Sequence, residues 1–445
     1  MLTSKIIKEI ISKFDKRLKP KMTIGEKYYK GENVAISERE MQFYNIARGR
    51  TMVDYGKANN KLASGFTGIL VRQKVGYLIN KNMTITPTVK GMDIAKMFDV
   101  NGFKKATKKI GVNASNKTYG VLQWYIDKDK QLKSKVIPSE QIIVINDDDY
   151  DDLNGVVLRH YEIKGYDVVE SYDGNQIETW MKADNEKDYV LMNQEPNLVM
   201  SRTANGNVIS TESIGWGKPP FSILYNNDEH TNDLSMFKAY VDVYDFVESD
   251  FANNLEDYQE MYWVLKNYSG TDAESFMEEF KKSRILKVGD GGDATQVAQE
   301  VPYAAREALL TRIRHDIFTF AMGVDVEGIA GETTNVTIKA LFANLDLKAN
   351  EFEMELEEYF EQSMYFVNKY LEVTGKQAIE ATLSLTRNKI LNESQAIDDI
   401  LKQAGFRAKK ILLGLMPGVT DVEAELAALA EEEAANQSLI DSFEV

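Results

Sequence analysis

Two long amphipathic helical patterns in the second half of the chain constrain the fold more than any other feature. In the first, apolar residues recur every three or four positions over roughly thirty residues, at Leu234, Phe237, Val241, Tyr244, Val247, Phe251, Leu255, Tyr258 and Tyr262. The second begins at the helix-capping residue Asn335, runs for about 35 residues and ends near Gly375. Helices this long usually need a partner or a ring of neighbours to cover their apolar stripes.

A compact insertion follows the first long helix, from about Lys266 to Pro302. Its pattern predicts a short helix near 273–282, a strand over 284–288 and a turn at Gly289–Asp293. A further helix is predicted over 303–322, with Leu309, Ile313, Ile317 and Phe320 as its apolar stripe. The sequence therefore predicts an antiparallel helix pair with a small module at its tip.

The rest of the chain predicts helices at both ends and a sheet in the middle. Helical patterns cover the first 90 residues, with a turn at Pro20 and a helical stretch from Asn59 to Tyr77. Short β-rich runs separated by turn-forming clusters fill 118–221 and predict a mostly antiparallel sheet. A strand at 378–385 and helices at 393–405, 408–415 and 421–435 complete an α+β fold.

Composition excludes several classes of protein. The chain has 445 residues, no cysteine and three histidines, so disulfides, thiolate metal sites and thiol nucleophiles are ruled out. No run of eighteen apolar residues suggests a membrane-spanning helix, and charged residues at helical spacing in the first fourteen positions argue against a secretory signal. The net charge of −16 argues against tight nonspecific binding to phosphates, which needs clustered Lys and Arg.

Catalytic motifs are absent from the sequence. No G-x-x-x-x-G-K-[ST], H-E-x-x-H, G-x-S-x-G or G-x-G-x-x-G occurs. The acidic run 146–152 and the turn Gly289–Asp293 could each bind a hard cation, but a solvated loop and a hairpin turn are the favoured interpretations. His315 has charged neighbours on a helix, where a solvated role is more common than catalysis. We predict no enzyme activity, no cofactor and no metal.

Short sequence fragments, in order along nearly the whole chain, resemble the SPP1-like portal family of tailed bacteriophages. The fragments are Tyr28-Tyr29-Lys30-Gly31, Asn59-Asn60-Lys61-Leu62, Lys74-Val75-Gly76-Tyr77-Leu78, Ile137-Pro138-Ser139-Glu140-Gln141, Pro220-Phe221, Asn226-Asn227, Asp242-Val243-Tyr244-Asp245, Ser249-Asp250, Leu385-Thr386-Arg387-Asn388 and Asp421-Val422-Glu423-Ala424-Glu425. Each fragment alone is a weak motif, but their order over roughly 400 residues is hard to produce by chance.

The resemblance implies a portal fold, with long stem helices, a mixed α/β wing, a small α/β clip and a helical crown. The expected segments are the wing (1–228), first stem helix (229–265), clip (266–302), second stem helix (303–322), tunnel loop (323–335), long wing helix and strand (336–385), and crown with C-terminal tail (386–445). The C-terminal part is short for the family.

The resemblance also implies a function and its partners. Such proteins form a ring of twelve subunits, or thirteen when isolated, at one vertex of the capsid in the virion, after assembly in the host cytoplasm. Double-stranded DNA passes through the ring without sequence-specific contact. The implied protein partners are the large terminase subunit, a head-tail adaptor, the scaffold and the major capsid protein, with no membrane. Another ring-forming head-tail connector or structural protein without a motor-docking role is the alternative.

Two sets of site residues follow from the resemblance. The first is the tunnel loop that would line the narrowest part of the channel: Val324, Asp325, Val326, Glu327, Gly328, Ile329, Ala330, Gly331, Glu332, Thr333 and Thr334. Its glycines give the backbone freedom, and its carboxylates would repel phosphates and so favour sliding. The second set, in the clip, would dock terminase and the adaptor: Arg284, Lys287, Gly289, Asp290 and Asp293.

Overall fold

The computed structural model describes residues 2–41, 43–46, 50–53, 57–89, 94–96, 98–145, 153, 155–204, 207–257, 262–266, 293–297, 303–326, 335–387, 393–419 and 422–443. Within these residues the helices are α1 (Ser4–Arg17), α2 (Lys19–Tyr29), α3 (Val34–Ser37), α4 (Phe66–Leu78), α5 (Val100–Lys117), α6 (Lys238–Asp257), α7 (Tyr303–Phe320), α8 (Asn335–Val373), α9 (Glu393–Leu401), α10 (Lys409–Leu415) and α11 (Val422–Phe443). Short 3₁₀ turns lie at Ile94–Lys96, Ser139–Gln141 and Asp233–Met236.

The strands complete an α+β fold. They are β1 (Phe43–Ile46), β2 (Arg50–Val53), β3 (Thr84–Pro87), β4 (Tyr119–Ile126), β5 (Leu132–Ile137), β6 (Ile142–Val144), β7 (Val157–Ile163), β8 (Tyr166–Tyr172), β9 (Gln176–Ala183), β10 (Val190–Pro196), β11 (Val199–Ala204), β12 (Asn207–Ser213), β13 (Phe221–Tyr225), β14 (Tyr262–Lys266), β15 (Asp293–Val297) and β16 (Ala381–Ser384). The main sheet has the order β10-β9-β8-β7-β6, and a second sheet has the order β13-β4-β5. Both are antiparallel, which confirms the prediction for the middle of the chain.

The chain divides into two compact units. The larger unit comprises Met1–Met22, Leu70–Asp233 and Met322–Val445, and the smaller comprises Thr23–Ile69 and Leu234–Ala321. In the larger unit, α1 buries Ile7, Ile10 and Phe14 in one hydrophobic cluster with residues of the main sheet.

A layer of aromatic rings joins α5, β4 and α8 inside the larger unit. The ring of Phe103 stacks on Tyr359 with centroids 5.8 Å apart and on Trp124 at 6.2 Å. Phe366 continues the layer toward Trp124 and Trp216. Rings at such spacings contribute about 0.5–1.5 kcal/mol per pair beyond their buried area. The layer therefore fixes the long helix α8 against α5 and the second sheet.

In the smaller unit, α6 and α7 form the predicted antiparallel pair. Tyr240 near the start of α6 stacks on Phe320 at the end of α7, with centroids 5.0 Å apart. Phe251 near the end of α6 lies 5.8 Å from Tyr303 at the start of α7. Beyond the helices, β14 pairs antiparallel with β15. The strand pair thus lies between the two helices in the chain, at positions where the sequence predicted a helix end and a turn.

Several sequence-based boundaries were wrong. The first long helix ends at Asp257, and Tyr262 lies in β14, because an aromatic and β-branched run reads as helix or strand equally well by periodicity. Pro20 lies in the first turn of α2, where its missing N–H costs nothing. The segment before Phe66 is not helical, and Asp293, expected in a turn, begins β15.

Other predicted boundaries in the C-terminal half are close to the observed ones. Gly375 has φ +71° just after α8 and closes that helix in the left-handed conformation that glycine adopts without strain. The last helix, predicted to end at 435, continues to Phe443. The short helix at 273–282 and the strand at 284–288 lie outside the described residues.

Candidate functional site

The predicted site residues fall only partly within the described chain. Of the loop, Val324, Asp325 and Val326 are described, and the rest lies outside: Glu327, Gly328, Ile329, Ala330, Gly331, Glu332, Thr333 and Thr334. Of the docking residues, Asp293 is described as the first residue of β15, whereas Arg284, Lys287, Gly289 and Asp290 lie outside. The structure does show the contacts that hold the elements next to these segments.

The start of the loop is anchored to α4 by a single side-chain amide. Gln73 Oε1 accepts a hydrogen bond from the Val324 N–H, and Gln73 Nε2 donates one to the Val324 carbonyl, both at 2.9 Å. The side chain of Val324 is 2% exposed and that of Val326 is 56% exposed. Val324 is therefore the buried base of the loop, and of the three described loop residues Val326 offers the most exposed side chain.

The next residue of α4, Lys74, belongs to a buried charge network. Its Nζ donates to Asn226 Oδ1 at 2.6 Å and to Asp233 Oδ1 at 3.0 Å, and lies 4.3 Å from the centroid of the Phe352 ring. Lys348 of α8 approaches the other carboxylate oxygen of Asp233 at 3.2 Å. The network joins α4, the turn before α6 and the long helix α8 at one buried point.

The two partners of this network have shifted pKa values for different reasons. Burial lowers the pKa of Lys74 to about 8, although the charge of Asp233 opposes the shift. Burial alone would raise the pKa of Asp233, but the charges of Lys348 and Lys74 and the Asn226 hydrogen bond outweigh it and lower the pKa to about 2. The carboxylate of Asp233 faces two cations, whereas Lys74 is also close to the like charge of Lys348, which adds to the lowering of its pKa.

A second polar cluster connects α4 to α8 and to the segment after β16. The Tyr77 hydroxyl donates to Asp346 Oδ1 of α8 at 2.6 Å, and burial together with this carboxylate raises the pKa of Tyr77. Arg387, which follows β16, donates to the same Asp346 oxygen at 2.8 Å and to Glu353 at 2.9 Å. Gln73, Lys74 and Tyr77 thus make α4 the element that holds the loop entry and the long helix.

In the smaller unit, side chains of α6 bind the backbone of the extended segment before α4. The N–H groups of Asn60, Leu62 and Ser64 donate to Asn253 Oδ1 at 2.6 Å, Ser249 Oγ at 3.0 Å and Asp245 Oδ1 at 2.9 Å, respectively. The Ser249 hydroxyl also donates to the Leu62 carbonyl at 3.4 Å. We call these three contacts the α6 ladder. They pair every second amide of the segment with every fourth residue of the helix.

A buried tyrosine extends this arrangement at the start of α6. The Tyr28 hydroxyl lies 2.5 Å from Asp242 Oδ1 and 2.7 Å from Asn33 Oδ1. Burial and the neighbouring Asp242 raise the pKa of Tyr28 to about 12, so the hydroxyl stays protonated as a donor. Asn33 Nδ2 in turn donates to Asp245 Oδ2 at 2.6 Å. Asp242 and Asp245 of α6 therefore accept hydrogen bonds from hydroxyl, ammonium, amide and backbone N–H groups and help to hold the fold.

The structure brings together fragments that are far apart in the sequence. Lys74 meets Asn226, Tyr77 and Arg387 meet at Asp346, and Leu62 meets Ser249. Residues of the fragments Lys74–Leu78 and Asn59–Leu62 therefore make contacts that no local pattern could indicate. Sequence reasoning missed Gln73 and Asn253; only the position of Gln73 directly before Lys74 could have drawn attention to it.

We next consider catalytic, metal-binding and membrane-spanning features in the described part of the chain. His315 lies on the exposed part of α7, where the Thr319 hydroxyl donates to its carbonyl at 2.8 Å. Within the described residues, no group of three or more His, Asp or Glu side chains could hold a metal ion, and no described helix is long and apolar enough to cross a membrane. The acidic run 146–152 lies outside the described residues.

Comparison with known proteins places this arrangement in a family. Residues 8–439 match the family described as "Phage portal protein, SPP1 Gp6-like". The portal protein of Bacillus phage SPP1 is 28% identical over 92% of this chain and 82% of its own length. The portal protein of Clostridium phage phiCD119 is 28% identical over 87% of this chain and 88% of its own length. A chain of the neck of a native GTA particle, computed with C12 symmetry, aligns with a TM-score of 0.39 at 13% identity, covering 87% of this chain and 99% of that one.

Proposed function

Because this chain belongs to the SPP1 Gp6-like family of phage portal proteins, we propose that it assembles into a ring, of twelve subunits in the virion, at a unique capsid vertex. Double-stranded DNA enters and leaves through the centre of the ring. The family match over residues 8–439 carries this proposal, since it spans both compact units rather than one shared module. The antiparallel pair α6–α7 with β14–β15 between the helices supports it.

The channel lining in this proposal is the loop that begins after Val324. Gln73 holds the base of this loop, Val324, by two hydrogen bonds. Asp325, Glu327 and Glu332 repel phosphates, and the small apolar side chains offer no cation to hold DNA. A channel must let a polyanion slide, and a net charge of −16 suits a conduit better than a clamp.

The clip between α6 and α7 is the docking module of the ring in this proposal. We assign it the attachment of the large terminase subunit during packaging and of a head-tail adaptor afterwards, with the scaffold and major capsid protein as partners elsewhere on the ring. The antiparallel strand pair β14–β15, between α6 and α7 in the chain, is the described part of this module. The ring assembles in the host cytoplasm and is located at the capsid vertex in the virion.

Electron microscopy and native mass spectrometry of the purified protein test the ring. Discs with a central hole, and a mass of about twelve or thirteen subunits, are expected because heterologous contacts close into rings. Monomers and dimers alone under assembly-favouring conditions would contradict the proposal.

Exchange of residues 266–302 for the corresponding segment of another portal protein tests the docking role. Ring formation should survive and terminase binding should be lost, as measured by co-sedimentation of rings with terminase. Normal docking by the exchanged protein would show that the terminase site lies elsewhere.

A further inference from the structure

A strongly basic segment stands out from this acidic chain. Residues 100–137 contain nine lysines, two aspartates, no glutamate and no arginine, a net charge of +7. The whole chain carries −16, so the remaining residues carry −23. The segment corresponds to α5 and the β4–β5 hairpin, which lie side by side in the larger unit. Positive charge is therefore concentrated on α5 and the β4–β5 hairpin, in a chain whose other residues are acidic on balance.

Four of these lysines form the outer face of α5. Phe103, Thr107 and Ile110 are buried against the aromatic layer, whereas Lys105, Lys108 and Lys109 are exposed and Lys104 is half-exposed. At 100° per residue the four lysines lie opposite the buried side of the helix. None of them forms an ion pair with any residue that the structure describes.

The lysine face differs from several other helix surfaces in the part of the chain that the structure describes. Elsewhere, opposite charges are paired four residues apart, at Glu9–Lys13, Asp15–Lys19, Glu26–Lys30, Lys238–Asp242 and Arg312–Asp316. On α5 the pairs at that spacing are Lys104–Lys108 and Lys105–Lys109, and like charges at this spacing destabilise a helix. A face needed only for solubility would mix the two signs, as α1, α2 and α7 do.

The β4–β5 hairpin extends the basic face. Lys133 lines a small cavity together with Gly102 and Ala106, which neighbour Lys105 and Lys109 on the surface of α5. Lys128 and Lys130 are exposed at the hairpin turn. Three carboxylates lie nearby. Asp127 accepts hydrogen bonds from the backbone of the turn, Asp99 caps α5 at the Gly102 N–H, and Asp129 is exposed between Lys128 and Lys130. Lysines therefore outnumber carboxylates where α5 meets the hairpin.

We propose that the surface formed by Lys104, Lys105, Lys108, Lys109 and Lys133 binds the phosphate backbone of double-stranded DNA without regard to sequence. Protein interfaces favour arginine and aromatic anchors and are depleted in lysine, which argues against a protein partner. Lysine is a hydrated point charge that neutralises a phosphate without the fixed geometry of arginine, which suits a duplex that slides. The binding depends neither on the loop after Val324 nor on ring closure, so it goes beyond the channel role.

Fluorescence anisotropy with random-sequence duplex DNA tests this surface between about 50 and 200 mM salt. The test variant is Lys104→Gln, Lys105→Gln, Lys108→Gln and Lys109→Gln together. The matched control replaces four exposed, scattered lysines of the larger unit, Lys5→Gln, Lys81→Gln, Lys164→Gln and Lys376→Gln, and so has the same net charge. We expect the test variant to bind at least about tenfold more weakly at low salt, with a salt slope lower by up to about 3.6, and the control to stay within about twofold of wild type.

Three results would overturn the proposal: no DNA binding by the wild-type chain at low salt, equal losses in both variants, or displacement of DNA by polyglutamate far below the charge-equivalent concentration of competing DNA. The last result would assign the surface to an acidic protein. Circular dichroism checks that both variants are folded, and electron microscopy of the same samples reports ring formation separately. Intact rings without DNA binding by this surface would remove the present inference and leave the portal role standing.

Discussion

Lys74 and Asp233 illustrate how single buried charges are used in this protein. Burying an ion costs several kcal/mol, and one ion pair repays that cost only when further bonds satisfy both partners. Here Asn226, Lys348 and the ring of Phe352 supply those bonds. Removing one partner therefore costs more than the pair contributes, because the other charges stay buried.

Asp233→Asn should lower the free energy of unfolding by about 3–5 kcal/mol at pH 7, because it leaves Lys74 and Lys348 without their carboxylate. The pKa of Asp233 is lowered from 3.8 to about 2 by folding. A lowered carboxylate pKa stabilises the fold above the unfolded value, and that contribution disappears as the pH falls through the folded value. The difference between variant and wild type should shrink by roughly 2 kcal/mol between pH 5 and pH 2, as measured by denaturant titrations.

The exposed substitution Asp184→Asn is the control and should change stability by less than about 0.5 kcal/mol. A difference between Asp233→Asn and wild type that stays constant from pH 5 to pH 2 would contradict the role assigned to the ionised carboxylate.

At the scale of elements, the α6 ladder shows how a helix can bind an extended segment. Four residues of helix rise about 6.0 Å, and two residues of extended chain span about 6.6 Å, so the two repeats stay in register for three contacts. Asp245, Ser249 and Asn253 therefore each meet an amide of the segment that ends at Ser64. Three backbone N–H groups of the segment thus find hydrogen-bond acceptors on a helix, as they would on a neighbouring strand of a sheet.

Ser249→Ala should lower the free energy of unfolding by about 1–3 kcal/mol, because it leaves the Leu62 N–H without its partner. Hydrogen exchange at Leu62 should speed up more than at residues of the main sheet, as followed by mass spectrometry. The exposed Ser384→Ala, on β16, serves as the matched control with no such change. Equal exchange at Leu62 in both variants would show that the ladder does not hold the segment.

At the scale of the whole molecule, charge is distributed unequally between surfaces. The acidic balance of the chain and the carboxylates of the loop after Val324 favour a conduit that does not grip DNA. The lysine surface of α5 and the hairpin has the opposite sign. If both proposals hold, DNA is weakly repelled by the loop carboxylates in the channel and attracted by the lysines of α5.

The double substitution Glu327→Lys and Glu332→Lys should slow or stall DNA translocation, because phosphates would gain two cations per subunit to hold them at the constriction. Ring formation should be unchanged. A DNA packaging assay measures the effect, with Glu431→Lys and Glu432→Lys on α11 as the control of equal charge change. Normal uptake by the loop variant would place the constriction elsewhere.

Local patterns were sufficient to predict much of the fold. The stripes of α7 and α8, the alternating runs of the main sheet and the capping residues are set by neighbours within a few positions, which the sequence shows directly. The antiparallel relation of α6 and α7 followed from the length of the insertion between them. The end of α6 and the extended state of 59–65 could not be predicted, because both depend on partners far along the chain.

The candidate site likewise combines features that the sequence indicated with contacts that only the tertiary structure decided. The residue types near the loop and the order of the family fragments were visible in the sequence, and so was the lysine-rich segment from which the α5 surface is built. The burial of Val324, the hold of Gln73 on its backbone and the pairing of Lys74 with Asp233 were decided by tertiary structure alone. Hydrogen bonds and ion pairs form between any suitable groups that the fold brings within about 3 Å. Gln73 and Val324 are 251 positions apart and Lys74 and Asp233 are 159 apart, so no local sequence pattern indicates that they are in contact.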